Sequence, residues 1–188
     1  MRIIVGISGA SGVVMGYALM KALRQCADCE LHLVVTKGAL KTWDLETDLP
    51  FEKLAELADV CHSDENLAAS ISSGSFHTDG MIVIPCSMKT LAGIVAGYSA
   101  NLLVRAVDVC LKENRRVILV PREMPLSKIH LRNLTEASDL GCTIIPPMLT
   151  FYNKLDSTTD QVNHVIGKIL MQLGMQYSEF SPWQGIEE

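Results

Sequence analysis

Several short segments of this chain carry residue types that could do chemistry. The run Ser8-Gly9-Ala10-Ser11-Gly12 follows a β-branched stretch and precedes a helical pattern. Its glycines let the backbone turn tightly and approach a ligand closely, and the helix start offers unpaired N–H groups to an anion. Ser8 and Ser11 add hydroxyls at a mouth where a planar ring could lie. The spacing differs from the dinucleotide pattern Gly-x-Gly-x-x-Gly, and a plain tight turn into a helix uses the same glycines. In Pro85-Cys86-Ser87-Met88-Lys89-Thr90, Ser87 and Thr90 are spaced so that one caps a helix while the other faces a bound oxygen, as in a phosphate cradle. The simpler reading is a Ser cap with Thr packed on the first turn, and Lys89 reads as solvated.

Val120-Pro121-Arg122-Glu123-Met124-Pro125 holds an Arg and a Glu between two prolines, so a stiff loop displays both. Arg122 suits bidentate binding of phosphate and Glu123 suits proton exchange; a surface ion pair is the alternative. Arg105 and Lys112 fall on one helix face and could address one anion, although such pairs are often merely solvated. On its residue type alone, Lys168 is an ordinary surface lysine. Cys26 and Cys29 form a lone Cys-x-x-Cys without the second pair a zinc site wants, and the histidines lack metal-ligand spacing. No metal is expected.

These segments need elements to position them. β-branched runs recur over 2–7, 31–35, 60–62, 81–85, 116–120 and 142–145. Helical apolar spacing spans 13–26, 37–45, 90–96, 102–113, 127–140 and 159–173. Ser127 is expected to cap its helix, and Thr158 or Thr159 the last one. Runs apolar on both faces, such as Met81-Ile82-Val83-Ile84, suit a parallel sheet covered on both sides. The expected fold class is α/β, a three-layer α/β/α domain on an open parallel sheet of about six strands. Ligands bind outside the carboxyl ends of such strands, which selects the segments 8–12, 36–47, 86–90, 121–125 and 146–153.

One domain is expected over residues 1–188, with an irregular tail from about 175. With 48% hydrophobic and 20% charged residues the chain reads as a packed globule. A net charge of -5 and the lack of a basic run speak against nucleic acid. No stretch approaches the roughly 20 apolar residues of a membrane span. The first residues do not resemble a signal peptide, so a cytoplasmic protein with mostly buried, reduced thiols is expected.

Taken in order, Ser-Gly-Ala-Ser-Gly, Glu46-Thr47-Asp48, Pro-Cys-Ser-x-x-Thr, the helix from Asn101 to Lys112, Val-Pro-Arg-Glu-x-Pro and Phe151-Tyr152 resemble the UbiX/Pad flavin prenyltransferases. The resemblance runs from Ile3 to Trp183. It implies a Rossmann-like flavoprotein fold, assembly into homododecamers with FMN at subunit interfaces, and transfer of a dimethylallyl group from dimethylallyl monophosphate to N5 and C6 of reduced FMN. The product, prenylated FMN, would serve a partner UbiD-type aromatic acid decarboxylase. By the same resemblance Gly9, Ala10, Ser11, Thr36, Ser87, Met88, Lys89, Thr90 and Arg122 match FMN-binding positions. Lys112, Arg122, Tyr152 and Lys168 match positions holding the donor phosphate, and Ser11, Glu46 and Glu123 match positions assigned to proton handling, with Lys112 counted among the catalytic residues. Some relatives carry Arg at the position of Lys168; Lys keeps the charge but loses the planar fork. Trp183 matches a tail position near the isoprenyl group, and an interface anchor is the equal alternative. Competing readings are an FMN-dependent decarboxylase, disfavoured because 146–150 lacks the Asn of the Met-rich loop found in such proteins, and a non-catalytic FMN carrier subunit.

Overall fold

The computed structural model describes residues 1–185 except Ala27 and Asp156, and excludes the Cys26 side chain, so the Cys26/Cys29 reading and the last residues of the tail lie outside the described residues. The chain alternates β1 (Arg2–Ile7), α1 (Val13–Cys26), β2 (Glu30–Val35), α2 (Lys37–Glu46), α3 (Glu52–Ala55), β3 (Val60–Ser63), β4 (Gly80–Cys86), α4 (Met88–Val95), α5 (Leu102–Lys112), β5 (Arg116–Pro121), α6 (Lys128–Asp139), β6 (Thr143–Ile144) and α7 (Thr158–Gln172), with a 3-10 turn at Ser70–Ser72. The strands form one sheet in the order β3-β2-β1-β4-β5-β6, every observed pairing parallel. Its order reverses between β1 and β4, where a doubly wound sheet opens a crevice.

Alternate residues of each central strand face opposite layers. Ile3, Val5 and Ile7 of β1 join Ile82 and Ile84 of β4 in a core closed by α1, α2 and α7. Ile4 joins Met81, Val83, Val117 and Leu119 in a second core closed by α4, α5 and α6. Both faces being dry explains why these strands read as continuous apolar runs.

The expected strands and long helices are present. Ser127 caps α6 as expected, in a capping box with His130. At α7 the cap is Ser157 rather than Thr158 or Thr159, because Asp160 accepts the Ser157 N–H at 3.2 Å and closes a reciprocal box. The tail beyond α7 folds back on its own chain: the Tyr177 hydroxyl donates to Asn163 at 3.1 Å, and Phe180 lies against Gly167. No helix among the described residues is long and apolar enough to cross a membrane.

Candidate active site

The carboxyl ends of β1 and β4 are fastened together by Ser8. Its buried hydroxyl donates to the Pro85 carbonyl at 3.0 Å and accepts the Ser87 N–H at 2.8 Å. Ser8 is therefore a structural clamp rather than a ligand at the mouth. Gly9 touches the next loop: a Cβ there would stand 3.0 Å from the Gly38 carbonyl carbon. The loops after β1, β2 and β4 thus meet backbone to backbone.

Between them lies a cleft of about 880 Å³. Gly9, Thr36, Ser87, Met88, Lys89, Thr90 and Glu123 line it, and Ala92, Gly93, Ala96 and Val104 give it an apolar wall. A second depression of about 850 Å³, at the amino ends of the strands, is lined by Arg115, Arg116 and Asp79. It lies away from the switch point.

Helix N-termini decide where an anion would sit, because their first N–H groups have no partner inside the helix. At α1 the Glu46 carboxylate fills this role, accepting the Gly12 N–H at 2.8 and 3.0 Å and the Val13 N–H at 3.1 Å. At α5 it is Asp64, which accepts the Leu103 N–H at 3.2 Å and the Asn101 amide at 2.9 Å. Burial pushes the Asp64 carboxyl above its ordinary value, while these two donors pull it back. The N-termini of α2 and α4 remain open. The Thr36 hydroxyl accepts only the Ala39 N–H at 3.2 Å, and the Ser87 hydroxyl accepts the Thr90 N–H at 3.3 Å. The N–H groups of Lys37, Gly38, Met88 and Lys89 have no hydrogen-bond partner among the described residues. Open donors and threonine hydroxyls therefore converge on one cleft, whose apolar wall suits a flat ring. These residues fit a phosphorylated flavin.

Of Ser87 and Thr90, Ser87 is the helix cap and Thr90 lines the cleft. The Ser87 hydroxyl caps α4 and also donates to Thr90 Oγ1 at 3.1 Å, which leaves the Thr90 hydroxyl proton to point elsewhere. Ala10, Ser11 and Arg122 stand on the loops that border the cleft without lining it. Arg122 and Glu123 form no ion pair. Glu123 accepts its neighbour's N–H, from Met124, at 3.0 Å, and the Arg122 guanidinium has no partner among the described residues.

Two groups of expected residues lie elsewhere. Lys112 ends α5 and pairs with Glu113, just before β5 begins. It therefore stands at the amino edge of the sheet, and a six-residue strand puts about 20 Å between it and the Arg122 loop. Arg105, on the same helix, is engaged by the Ser72 carbonyl and Asp108, so it does not share an anion with Lys112. Tyr152 and Lys168 instead flank an aromatic cluster at the tail. Tyr152 packs edge-on against Trp183, with centroids 5.5 Å apart, and against His164 at 5.9 Å, while Lys168 Nζ lies 5.6 Å from the Phe180 ring centroid.

Lys37 and Gly38 fall in the segment 36–47 that the sheet topology selects, and Asn101 heads the helix quoted in the resemblance, whereas Asp64, Glu65 and Tyr98 of the cleft were missed by sequence reasoning. Asp64 and Glu65 follow β3, whose exposed, weakly patterned strand gave no reason to inspect its end. No group of His, Cys, Asp and Glu among the described residues could hold a metal ion.

The family described as Flavoprotein matches residues 1–174. A Sedimentibacter hydroxybenzoicus protein named "probable UbiX-like flavin prenyltransferase" is 63% identical over 188 residues, covering 100% of both chains. The crystal structure of a dodecameric FMN-dependent UbiX-like decarboxylase from Escherichia coli O157:H7 superposes with a TM-score of 0.96 at 52% identity, covering 98% of this chain and 100% of that one. The crystal structure of AnUbiX (PadA1), in complex with FMN and dimethylallyl pyrophosphate, also gives 0.96, at 45% identity over 99% and 98% of the two chains.

Proposed function

The chain belongs to the Flavoprotein family and within it to the UbiX-like flavin prenyltransferases, and from that premise we propose that it transfers a dimethylallyl group from dimethylallyl monophosphate to reduced FMN. The observation that carries this reading is the cleft whose α2 and α4 N-termini are open while those of α1 and α5 are closed by the chain's own carboxylates. Such a cleft binds a phosphorylated flavin by its phosphate and lays the ring on the apolar wall. When bound, reduced FMN supplies the nucleophilic N5 and C6 positions.

The protein's own residues supply the rest. Thr36, Ser87 and Thr90, with the N–H groups of Lys37, Gly38, Met88 and Lys89, hold the flavin phosphate, and Gly9, Ala10 and Ser11 lie beside the ring. Arg122 contacts flavin and donor, and Met88 and Lys89 complete the FMN wall. Lys112, Tyr152 and Lys168 bind the donor phosphate. Positive charge gathered there stabilises the phosphate that leaves, while Trp183 and the apolar wall keep water from the allylic carbon. Of the two carboxylates, Glu123 faces the cleft with a single backbone donor, whereas Glu46 is committed to α1. Glu123 is therefore the group that takes the C6 proton, with Ser11 and Glu46 ordering the adjacent loop.

Lys112 cannot reach this site within one chain, and Tyr152 and Lys168 do not line its cleft, so neighbouring subunits of a homo-oligomer bring these residues together around the donor. A dodecameric relative at 52% identity supports an assembly of that kind. The product goes to a UbiD-type decarboxylase, with both proteins in the cytoplasm. No histidine lines the cleft among the described residues, which argues against direct decarboxylation by a histidine-dependent route.

Lys112→Ala and Glu123→Gln should retain FMN and lose prenylation, read by equilibrium dialysis of FMN and by donor consumption. Arg122→Ala should weaken both, because an arginine at a phosphate contributes on the order of 1.5–3 kcal/mol. Full turnover by Lys112→Ala and Glu123→Gln would remove the assigned roles. A carrier that binds FMN without reacting would show no donor consumption in the wild type.

A further inference from the structure

We propose that His164 is a positioning residue that fixes the direction in which the Tyr152 hydroxyl offers its proton; the inference rests on the reading that Tyr152 binds the donor phosphate. A chain of contacts with forced donor and acceptor roles leads to it. The Ser181 carbonyl can only accept, and it lies 3.3 Å from Asn153 Nδ2. That contact identifies the atom as the amide nitrogen rather than the oxygen. The same NH₂ lies 3.3 Å from His164 Nδ1 and has a second hydrogen to give. His164 Nδ1 must therefore accept. In a neutral imidazole the proton then resides on Nε2, which lies 3.4 Å from the Tyr152 oxygen.

Tyr152 accepts from His164, and its own O–H proton, which meets no acceptor among the described residues, is left for a ligand. A phosphate oxygen, which can only accept, is the ligand such a hydroxyl serves. His164 is buried on α7, and burial together with nearby Lys168 holds its pKa below the ordinary value, in keeping with a neutral ring. Phe180, 5.3 Å from the His164 ring, and Lys168 close the remaining sides. The tail carbonyl of Ser181 is thus connected, through Asn153 and His164, to the polarity of a substrate-binding phenol.

Asn153→Asp reverses the chain of roles with little change of shape. An aspartate accepts from His164 Nδ1–H, so at a pH where the ring is neutral Nε2 becomes the acceptor and Tyr152 must turn its proton inward; the Ser181 carbonyl loses its donor, an effect that the Tyr152→Phe background separates from the relay. The test uses the intact protein with FMN and dimethylallyl monophosphate, comparing wild type, Asn153→Asp, Tyr152→Phe and the double variant. Nitrogen NMR of labelled histidine should find Nε2–H in the wild type and Nδ1–H in Asn153→Asp. KM for the donor should rise roughly ten- to a hundredfold in Asn153→Asp, the loss of one hydrogen bond to a charged group, with kcat and FMN affinity little changed. In the Tyr152→Phe background the same substitution should add nothing.

An Nδ1–H tautomer in the wild type would overturn the proposal. So would an equal loss from Asn153→Asp with and without the Tyr152 hydroxyl, which would mean that the tail had merely loosened. If Tyr152→Phe raises KM and Asn153→Asp does not, the phosphate role of Tyr152 stands and the relay falls. If neither changes KM, the phosphate role itself is wrong and the relay has no function.

Discussion

The Ser87 N–H donates to the Ser8 hydroxyl at 2.8 Å, joining residues 79 positions apart at the point where the sheet order reverses. Ser8 is fully buried, so this hydroxyl is the local substitute for water. Ser8→Ala leaves the Ser87 N–H without its partner, and should cost about 1–3 kcal/mol of unfolding free energy. It should also weaken FMN binding severalfold, because the loop that caps α4 is then held less firmly. Urea unfolding and FMN titration read the two effects; an unchanged unfolding midpoint would refute the clamp.

Gly167 and Phe180 set the position of the tail. A Cβ on Gly167 would fall 2.1 Å from a Phe180 ring carbon, inside any permitted contact. Gly167→Ala should therefore push Phe180 off α7. Crowding of this kind costs typically about 1–3 kcal/mol. Because Trp183 follows Phe180 and packs on Tyr152, donor affinity should fall more than FMN affinity. Equal affinities in variant and wild type would show that the tail does not depend on this seat.

The separation of Lys112 from the cleft makes a prediction about assembly. Lys112→Ala and Glu123→Gln should each be inactive alone, but unfolding and refolding them together should restore a fraction of turnover, because some sites then combine an intact Lys112 from one subunit with an intact Glu123 from another. Mixed protein that stays inactive, while co-refolded wild type recovers, would place both residues in one chain's site.

Much of this arrangement is legible in the sequence, for a physical reason. Strands dry on both faces must be apolar throughout, so β1, β4 and β5 announce themselves, and a parallel sheet then dictates which loops meet. What sequence could not show is how one residue type is used. A serine hydroxyl at a strand end serves a ligand or a buried backbone equally well, and only the 3.0 Å contact to Pro85 makes Ser8 structural. Heptad spacing placed Arg105 and Lys112 on one helix face but not at one end of the sheet. Ser157, Thr158 and Thr159 are all competent caps, and Asp160 chooses among them through a reciprocal bond. The four-residue α3 is too short to display a period. His164, buried within an amphipathic helix, offers no sequence signal that separates it from a packed core histidine.

Acid should loosen the β2–β3 edge first. His32 Nδ1 and His62 Nε2 are 2.8 Å apart, with Glu30 on the far nitrogen of His32 and Arg2 beyond it. Burial, and then the neighbouring His32, hold the His62 pKa below its ordinary 6.5. A folded-state pKa below the unfolded value means that the unfolded chain binds more protons, so this stability is present above that ordinary value and is lost as pH falls through the folded one. Asp59 adds a second, more acidic step. The Leu31 N–H, and then Arg24, hold its carboxyl below the usual range, so its contribution is present above 3.8 and is lost on further acidification. Unfolding midpoints at about pH 7 and about pH 5 should differ more for the wild type than for His62→Gln; an equal difference would exclude His62 as the titrating group.

In the proposed reaction the cleft between α2 and α4 presents reduced FMN to an allylic phosphate. The most direct test incubates the protein anaerobically with reduced FMN and dimethylallyl monophosphate, with the pyrophosphate in parallel, and weighs the extracted flavin by mass spectrometry. A flavin heavier by one dimethylallyl unit is expected with the monophosphate. Unmodified FMN recovered from folded, FMN-loaded protein with either donor would contradict it.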